Sequence, residues 1–280
     1  MKIITADTLG EAHTKVVELI DEWGKITETE DLEITSDLFE PICIHVNYPH
    51  HDPKLSPYTL FREGFVNQYK GALYTITPRR DDGTDATYTY GNRLCDYPTR
   101  RERFHANGKR RGLLKLADYI LAKFNYYPNG CNFNAEMIGD GRGGGINQLQ
   151  ESVIDRLIAS PLTRRAEAIT WVPELDIDSS EPPCLQLVWF RIMPDHRLCM
   201  VAVFRSNDML SASGQNLIAL GALQEFVLNE INVVYQQLDR PLLKMGYLEC
   251  ISLSPHMYFK RDALELKRFQ NKDSSKGLFA

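Results

Sequence analysis

Residues 217–231 read Leu-Ile-Ala-Leu-Gly-Ala-Leu-Gln-Glu-Phe-Val-Leu-Asn-Glu-Ile, a helical pattern that is apolar on nearly every side. A helix with a single apolar stripe can lie on a surface, but one that is apolar almost all round is stable only where other elements cover it. The chain must therefore bury this helix in its core. The flanking segments supply the cover: 168–172, 185–192 and 198–204 before it, and 233–236 and 248–253 after it, read as strands. Strands on both sides of a buried helix predict a mixed α/β (α+β) domain.

Composition narrows what such a domain can do. At 280 residues, 43% hydrophobic and 25% charged, the chain has enough apolar surface for one large core, and a single domain with excursions is expected. A net charge of -5 provides no basic field for a polyanion, which excludes nucleic acid as a partner. An anionic ligand must then be small and held by a local cluster of arginines. Six cysteines, at 43, 95, 131, 184, 199 and 250, form no Cys-x-x-Cys pair and no regular spacing, which argues against a zinc site or a disulfide framework and for a reducing cytoplasm. No stretch approaches the roughly 18 apolar residues of a membrane span, and the first residues lack a signal-peptide core. A cytoplasmic protein without a membrane partner is expected.

Along the rest of the chain, residues 8–23 predict an amphipathic helix capped by Thr8, and 42–46 a strand. His50, His51 and Asp52 lie in a proline-flanked loop without metal-ligand spacing and read as a solvated turn. Residues 58–73 predict a second helix ending near Gly71, 79–85 a polar turn, 113–124 a helix and 148–160 a helix stopped by Pro161. The run Gly139-Asp140-Gly141-Arg142-Gly143-Gly144-Gly145 lacks the Gly-Lys-Ser/Thr ending of a phosphate-binding loop and reads as a flexible loop. The basic residues at 100–111 read as a solvated face.

The residue best suited to chemistry is Cys184. Pro182 and Pro183 hold the chain extended just before it and fix where the thiol points. Arg205 follows one strand later, and a guanidinium close to the sulfur is expected to lower its pKa toward a reactive thiolate. Taken alone, a lone cysteine is more often inert packing.

Read together, Tyr88-Thr89-Tyr90-Gly91-Asn92-Arg93, Ser160-Pro161-Leu162-Thr163-Arg164-Arg165, Pro182-Pro183-Cys184, Arg205-Ser206-Asn207-Asp208, Asn216 and His256-Met257-Tyr258 stand in the order and approximate spacing of the thymidylate synthases. The resemblance covers about residues 86–98 and 146–260 and is strongest to archaeal-type members. It implies a three-layer α/β fold around a large mixed sheet and a homodimer joined sheet to sheet. It also implies one domain over 1–280, with a variable N-terminal part (1–85) and an insertion at about 100–145.

The same resemblance implies roles. Cys184 would add to C6 of a pyrimidine nucleoside monophosphate. Arg164 and Arg165 would bind the phosphate in the partner's site, and Arg205 and Ser206 in their own. Asn216 would read the base edge, preferring uracil to cytosine, with Asp208 at the ring edge or near the cofactor. His256 and Tyr258 would hold the sugar, Tyr90 would organise water for proton transfer, and Glu63 would be the general acid and base. The carrier would be 5,10-methylenetetrahydrofolate or a methanopterin analogue, and the expected reaction is methylation of dUMP to dTMP. Hydroxymethylation of dUMP, UMP, dCMP or CMP uses the same early steps and stays open. The family's histidine after the cysteine is Leu185 here, and its Glu-x-x-Trp-Phe segment is replaced around Glu63 to Tyr69. A cysteine hydrolase, with His196 or His256 as base, and a nucleotide binder without catalysis are the readings from other classes.

Overall fold

Thr8 accepts the backbone N–H of Glu11 at 3.3 Å and opens helix α1 (Leu9–Trp23), which buries Leu9, Ala12, Val16, Val17 and Ile20 on one stripe. The computed structural model describes residues 1–59, 64, 68–79, 88–102, 135–259, 261–262 and 267. The other helices described are α2 (Tyr90–Cys95), α3 (Asp155–Ala159), which continues a π-helical turn over Leu149–Ile154, the short α4 (Pro173–Asp176) and α5 (Ser213–Gln237). The predicted turn at 79–85, apart from Arg79, and the helix predicted at 113–124 lie outside the described residues, as do 60–63 and 65–67 of the helix predicted at 58–73.

The strands are β1 (Lys2–Ala6), β2 (Lys25–Glu28), β3 (Ile34–Asp37), β4 (Ile42–Val46), β5 (Thr99–Glu102), β6 (Ala135–Ile138), β7 (Glu167–Ile169), β8 (Leu185–Ile192), β9 (Arg197–Phe204), β10 (Asn207–Asp208), β11 (Lys244–Ser252) and β12 (Pro255–Tyr258). Six of them form a mixed sheet in the order β1-β4-β11-β9-β8-β7, and four form a second sheet in the order β10-β12-β3-β2. β5 and β6 pair with each other as an antiparallel ribbon. The fold is thus mixed α/β, as expected.

One face of the six-stranded sheet lies under α1 and α5 and carries Ile44, Leu248, Met200, Ala202 and Phe190 into the core. α5 is the one described helix long and apolar enough to cross a bilayer, and more than half of that stretch is buried inside the protein. It runs further than the sequence suggests. Residues 233–236, predicted as a strand, are its last turns. Val233, Val234 and Tyr235 favour strands locally, but Val227, Ile231 and Tyr235 recur every four residues on the buried side, so packing holds the helix.

On the opposite face the register aligns Ile169, Leu187, Val203, Ile251, Cys43 and Ile3 in a row across all six strands. All but Cys43 are at least partly exposed. The next row includes Trp189, Val201 and the ion pair of Glu249 with His45, 2.9 Å apart.

Candidate active site

Cys184 lies half-buried at the entrance of β8, immediately after the two prolines. Arg205, just past the end of β9, donates its backbone N–H to the Cys184 carbonyl at 2.8 Å. Its guanidinium donates to the carbonyls of Pro183 at 3.1 Å and Pro182 at 2.7 Å. The cation is thereby tied to the turn that presents the sulfur. Burial pushes the Cys184 thiol up, and the positive charge of Arg205 pulls it back only in part. The sequence-based expectation of a lowered thiol is corrected here: removing the sulfur from water outweighs one cation.

Tyr90 closes the other side, its hydroxyl accepting the backbone N–H of Leu185 at 3.2 Å. The ring of Tyr88 lies 5.5 Å from that of Tyr90, and its burial beside Cys184 raises its hydroxyl. Both belong to the start of α2, where Thr89 accepts the Asn92 N–H at 3.1 Å. The helix is anchored by Arg93, which is almost wholly buried and makes a two-pronged pair with Asp176 at 3.0 and 2.9 Å. Asp140 approaches Arg93 at 3.4 Å and pairs with Arg79.

The glycine run is built rather than loose. Backbone N–H groups of Gly141, Gly143 and Gly145 donate to the Asp96 carboxylate at 3.0, 2.8 and 2.7 Å. Glycine is required at 141, where φ is +89° and a Cβ would lie 2.5 Å from the Thr77 carbonyl oxygen. The run reads in sequence as a flexible loop, but it is an anion cradle whose anion is the protein's own aspartate.

On the far wall, Asn216 sits in the first turn of α5. Tyr69 donates its hydroxyl to Asn216 Oδ1 at 3.2 Å, and Asn216 Nδ2 donates to Asn207 Oδ1 at 3.4 Å. Pairing of β10 with β12 places Asp208 beside His256. His256 and Tyr258 share one side of β12, their rings 5.2 Å apart and nearly perpendicular. Asp208 is occupied: it accepts the N–H groups of Leu210 and Ser211 at 3.1 and 3.0 Å, and pairs with the Ser211 hydroxyl and Arg261. The Arg261 guanidinium stacks over the Tyr258 ring at 4.1 Å. Ser206 is half-buried beside Arg205. A cavity of about 530 Å³ is walled by Tyr69, Tyr88, Tyr90, Thr75, Thr77 and Gln68, and two of these walls reach the site, Tyr90 through Leu185 and Tyr69 through Asn216.

The structure thus gathers Arg205 and Tyr90 about Cys184, the arginine bonded to its carbonyl and the tyrosine hydroxyl to the N–H of the next residue. A second group unites Asp208, His256 and Tyr258, which Asn207 joins to Asn216. Arg164 and Arg165 stand apart, beyond the end of helix α3 at Ala159. They lie exposed in the loop over 160–165, which lines its own open cleft, and neither makes an ion pair among the described residues. Glu63 lies outside the described residues. His196 occupies the turn between β8 and β9, a full eight-residue strand, roughly 25 Å, from Cys184, so it cannot be the base of a cysteine hydrolase. Sequence reasoning missed Tyr69, Asn207 and Arg261 as site residues. Asn207 stood inside a quoted motif, whereas Tyr69 read as one apolar position of a helix, and its partner is distant in sequence.

Residues 78–241 match the family described as Thymidylate synthase. Two archaeal relatives carry the name "Putative thymidylate synthase". The protein of Methanosarcina barkeri is 34% identical over 92% of this chain and 89% of its own length, and that of Methanocaldococcus jannaschii is 26% identical over 96% of both. With that match spanning more than half of the residues, around the cysteine, the tyrosine-bearing helix and the buried central helix, the chain belongs to the thymidylate synthase family.

Proposed function

We propose that this protein transfers a one-carbon unit to C5 of a pyrimidine nucleoside monophosphate through a covalent bond between Cys184 and C6, methylating dUMP to dTMP. The observation that carries this reading is the convergence of Arg205 and Tyr90 on the turn of backbone that presents Cys184, with Tyr90 also forming a wall of an aromatic-lined cavity. The Cys184 thiolate adds to C6, and the electron pair displaced from the C5–C6 double bond moves onto C5 and the O4 carbonyl. C5 becomes nucleophilic. Arg205 stabilises the thiolate and, with Ser206, binds the phosphate; a dianion there gives the guanidinium the partner it lacks in its present carbonyl contacts. Asn216 accepts from N3–H and donates to O4 of uracil, stabilising the charge that develops on that oxygen. His256 and Tyr258 hold the sugar hydroxyl.

The cavity walls suit a flat heteroaromatic ring, because Tyr69, Tyr88 and Tyr90 present aromatic surface with hydroxyls at its edge. Those tyrosines would hold a reduced pterin such as 5,10-methylenetetrahydrofolate or its methanopterin analogue, with Asp208 near its polar edge. When bound, that carrier supplies the one-carbon unit and, for a methyl product, the hydride that reduces it. Tyr90 orders water for removal of the C5 proton, with Glu63 as the base. Arg164 and Arg165, exposed and unpaired with acids among the described residues, would complete the phosphate site of a second subunit joined through the open sheet face.

The experiment is release of tritium from C5-labelled dUMP with methylenetetrahydrofolate, followed by mass spectrometry of the product. Release is expected, with a methyl product; a hydroxymethyl product would keep the adduct chemistry and overturn the final reduction. Cys184→Ser should abolish release while dUMP still binds. Release at the wild-type rate in that variant removes the thiol from the reaction, and no release from the wild type favours a hydrolase or a passive binder.

A further inference from the structure

The Asn216 amide is held at both ends. Tyr69 donates to its Oδ1 at 3.2 Å, and its Nδ2 donates to Asn207 Oδ1 at 3.4 Å. Asn207 is itself buried and fixed, its Nδ2 donating to Ser252 Oγ at 3.2 Å and its backbone N–H to the Ser254 carbonyl at 3.1 Å. Turning the Asn216 amide over would set its oxygen against that of Asn207, two acceptors with no proton between them. The arrangement therefore has a direction. Each polar atom of Asn216 still keeps one hydrogen-bonding position, a lone pair on Oδ1 and an N–H on Nδ2.

Resting on the assignment of Asn216 to the base edge, we propose that Tyr69, with Asn207 behind the amide, is a specificity-determining residue that selects uracil over cytosine by fixing which way Asn216 points. Uracil offers an N3–H donor and an O4 acceptor, which the fixed amide matches. Cytosine offers an N3 acceptor and an amino donor, which require the amide reversed. Burial pushes the Tyr69 hydroxyl up to about 12, so it keeps its proton throughout the neutral range. Tyr69 lies outside the motifs that carry the family resemblance, so this control belongs to the segment in which the chain departs from the common pattern.

The test is equilibrium binding of dUMP and of dCMP to the wild type, to Tyr69→Phe and to Asn216→Asp. Tyr69→Phe keeps the ring as a cavity wall and removes the hydroxyl that donates to Asn216; it is expected to narrow the preference for dUMP over dCMP roughly tenfold, the worth of one oriented hydrogen bond. A purely packing role predicts an unchanged preference in Tyr69→Phe, and that result overturns the proposal. Asn216→Asp separates the two levels. If it shifts binding toward dCMP while Tyr69→Phe does nothing, Tyr69 alone is dismissed. If Asn216→Asp leaves the preference where it was, the base-edge assignment falls, and this inference falls with it.

Discussion

His13 is almost wholly buried on α1, with its ring between Ser56 Oγ at 2.6 Å and the Met209 carbonyl at 2.9 Å. It also leaves no room for a side chain at 214, where a Cβ would sit 2.8 Å from the imidazole. The neutral ring thus fastens the first helix to the segment between Asp208 and α5, which carries site residues at both ends. Burial lowers its pKa from 6.5 to about 4. Because the folded value lies below the unfolded one, the contribution is whole above pH 6.5 and is lost as the pH falls toward 4. The full shift corresponds to roughly 3 kcal/mol. His13→Gln, which keeps a donor and an acceptor but cannot titrate, should be less sensitive to acid by about that amount in urea unfolding. Equal losses in both proteins would assign the acid sensitivity elsewhere. Single residues were partly legible in the sequence: Cys184 was singled out from its prolines and arginine, but the sign of its pKa shift depends on burial, which a linear string does not display.

Among the elements, strand 185–192 is legible in the sequence with its observed bounds because its burial follows from a local pattern, and the Thr8 cap is legible for the same reason. The cradle over 139–145 was not legible, since the carboxylate it encloses lies more than forty residues upstream and three backbone N–H groups, not side chains, make the contact. Asp96 is almost completely buried, so removing it strands those donors. Asp96→Ala is expected to cost about 3 kcal/mol or more and to speed amide exchange at Gly141, Gly143 and Gly145 ahead of the core strands. Uniform exchange across the protein would show that the cradle has no separate stability. Because the same loop carries Asp140 to Arg93, its loosening should reach α2 and the Tyr90 hydroxyl at the thiol.

For the whole molecule, the buried helix 217–231 predicted the central layer, and the mixed sheet followed from the strands around it. What no local pattern displays is that the sheet's second face sets six mostly apolar side chains in register from one edge to the other. A symmetric partner would cover this face and bring its own Arg164 and Arg165 toward the neighbouring thiol. Val203→Asp places a charge at the middle of the row and should convert a dimer to a monomer in analytical ultracentrifugation, with loss of turnover. Mixing inactive Cys184→Ser with inactive Arg165→Ala should restore activity, because a hybrid dimer has one intact site. Failure to restore it would place the arginines outside the neighbour's pocket.

The ribbon of β5 and β6 carries a different consequence. Its register sets Glu102 directly opposite Ala135, and Tyr97 and Ile146 exchange backbone hydrogen bonds at 2.8 and 3.1 Å below it. The two positions that bound residues 103–134 in the chain are thus held side by side by backbone pairing. A segment of another length joined between Glu102 and Ala135 would meet the same closed pair of ends, which makes this position a natural port for grafting foreign segments.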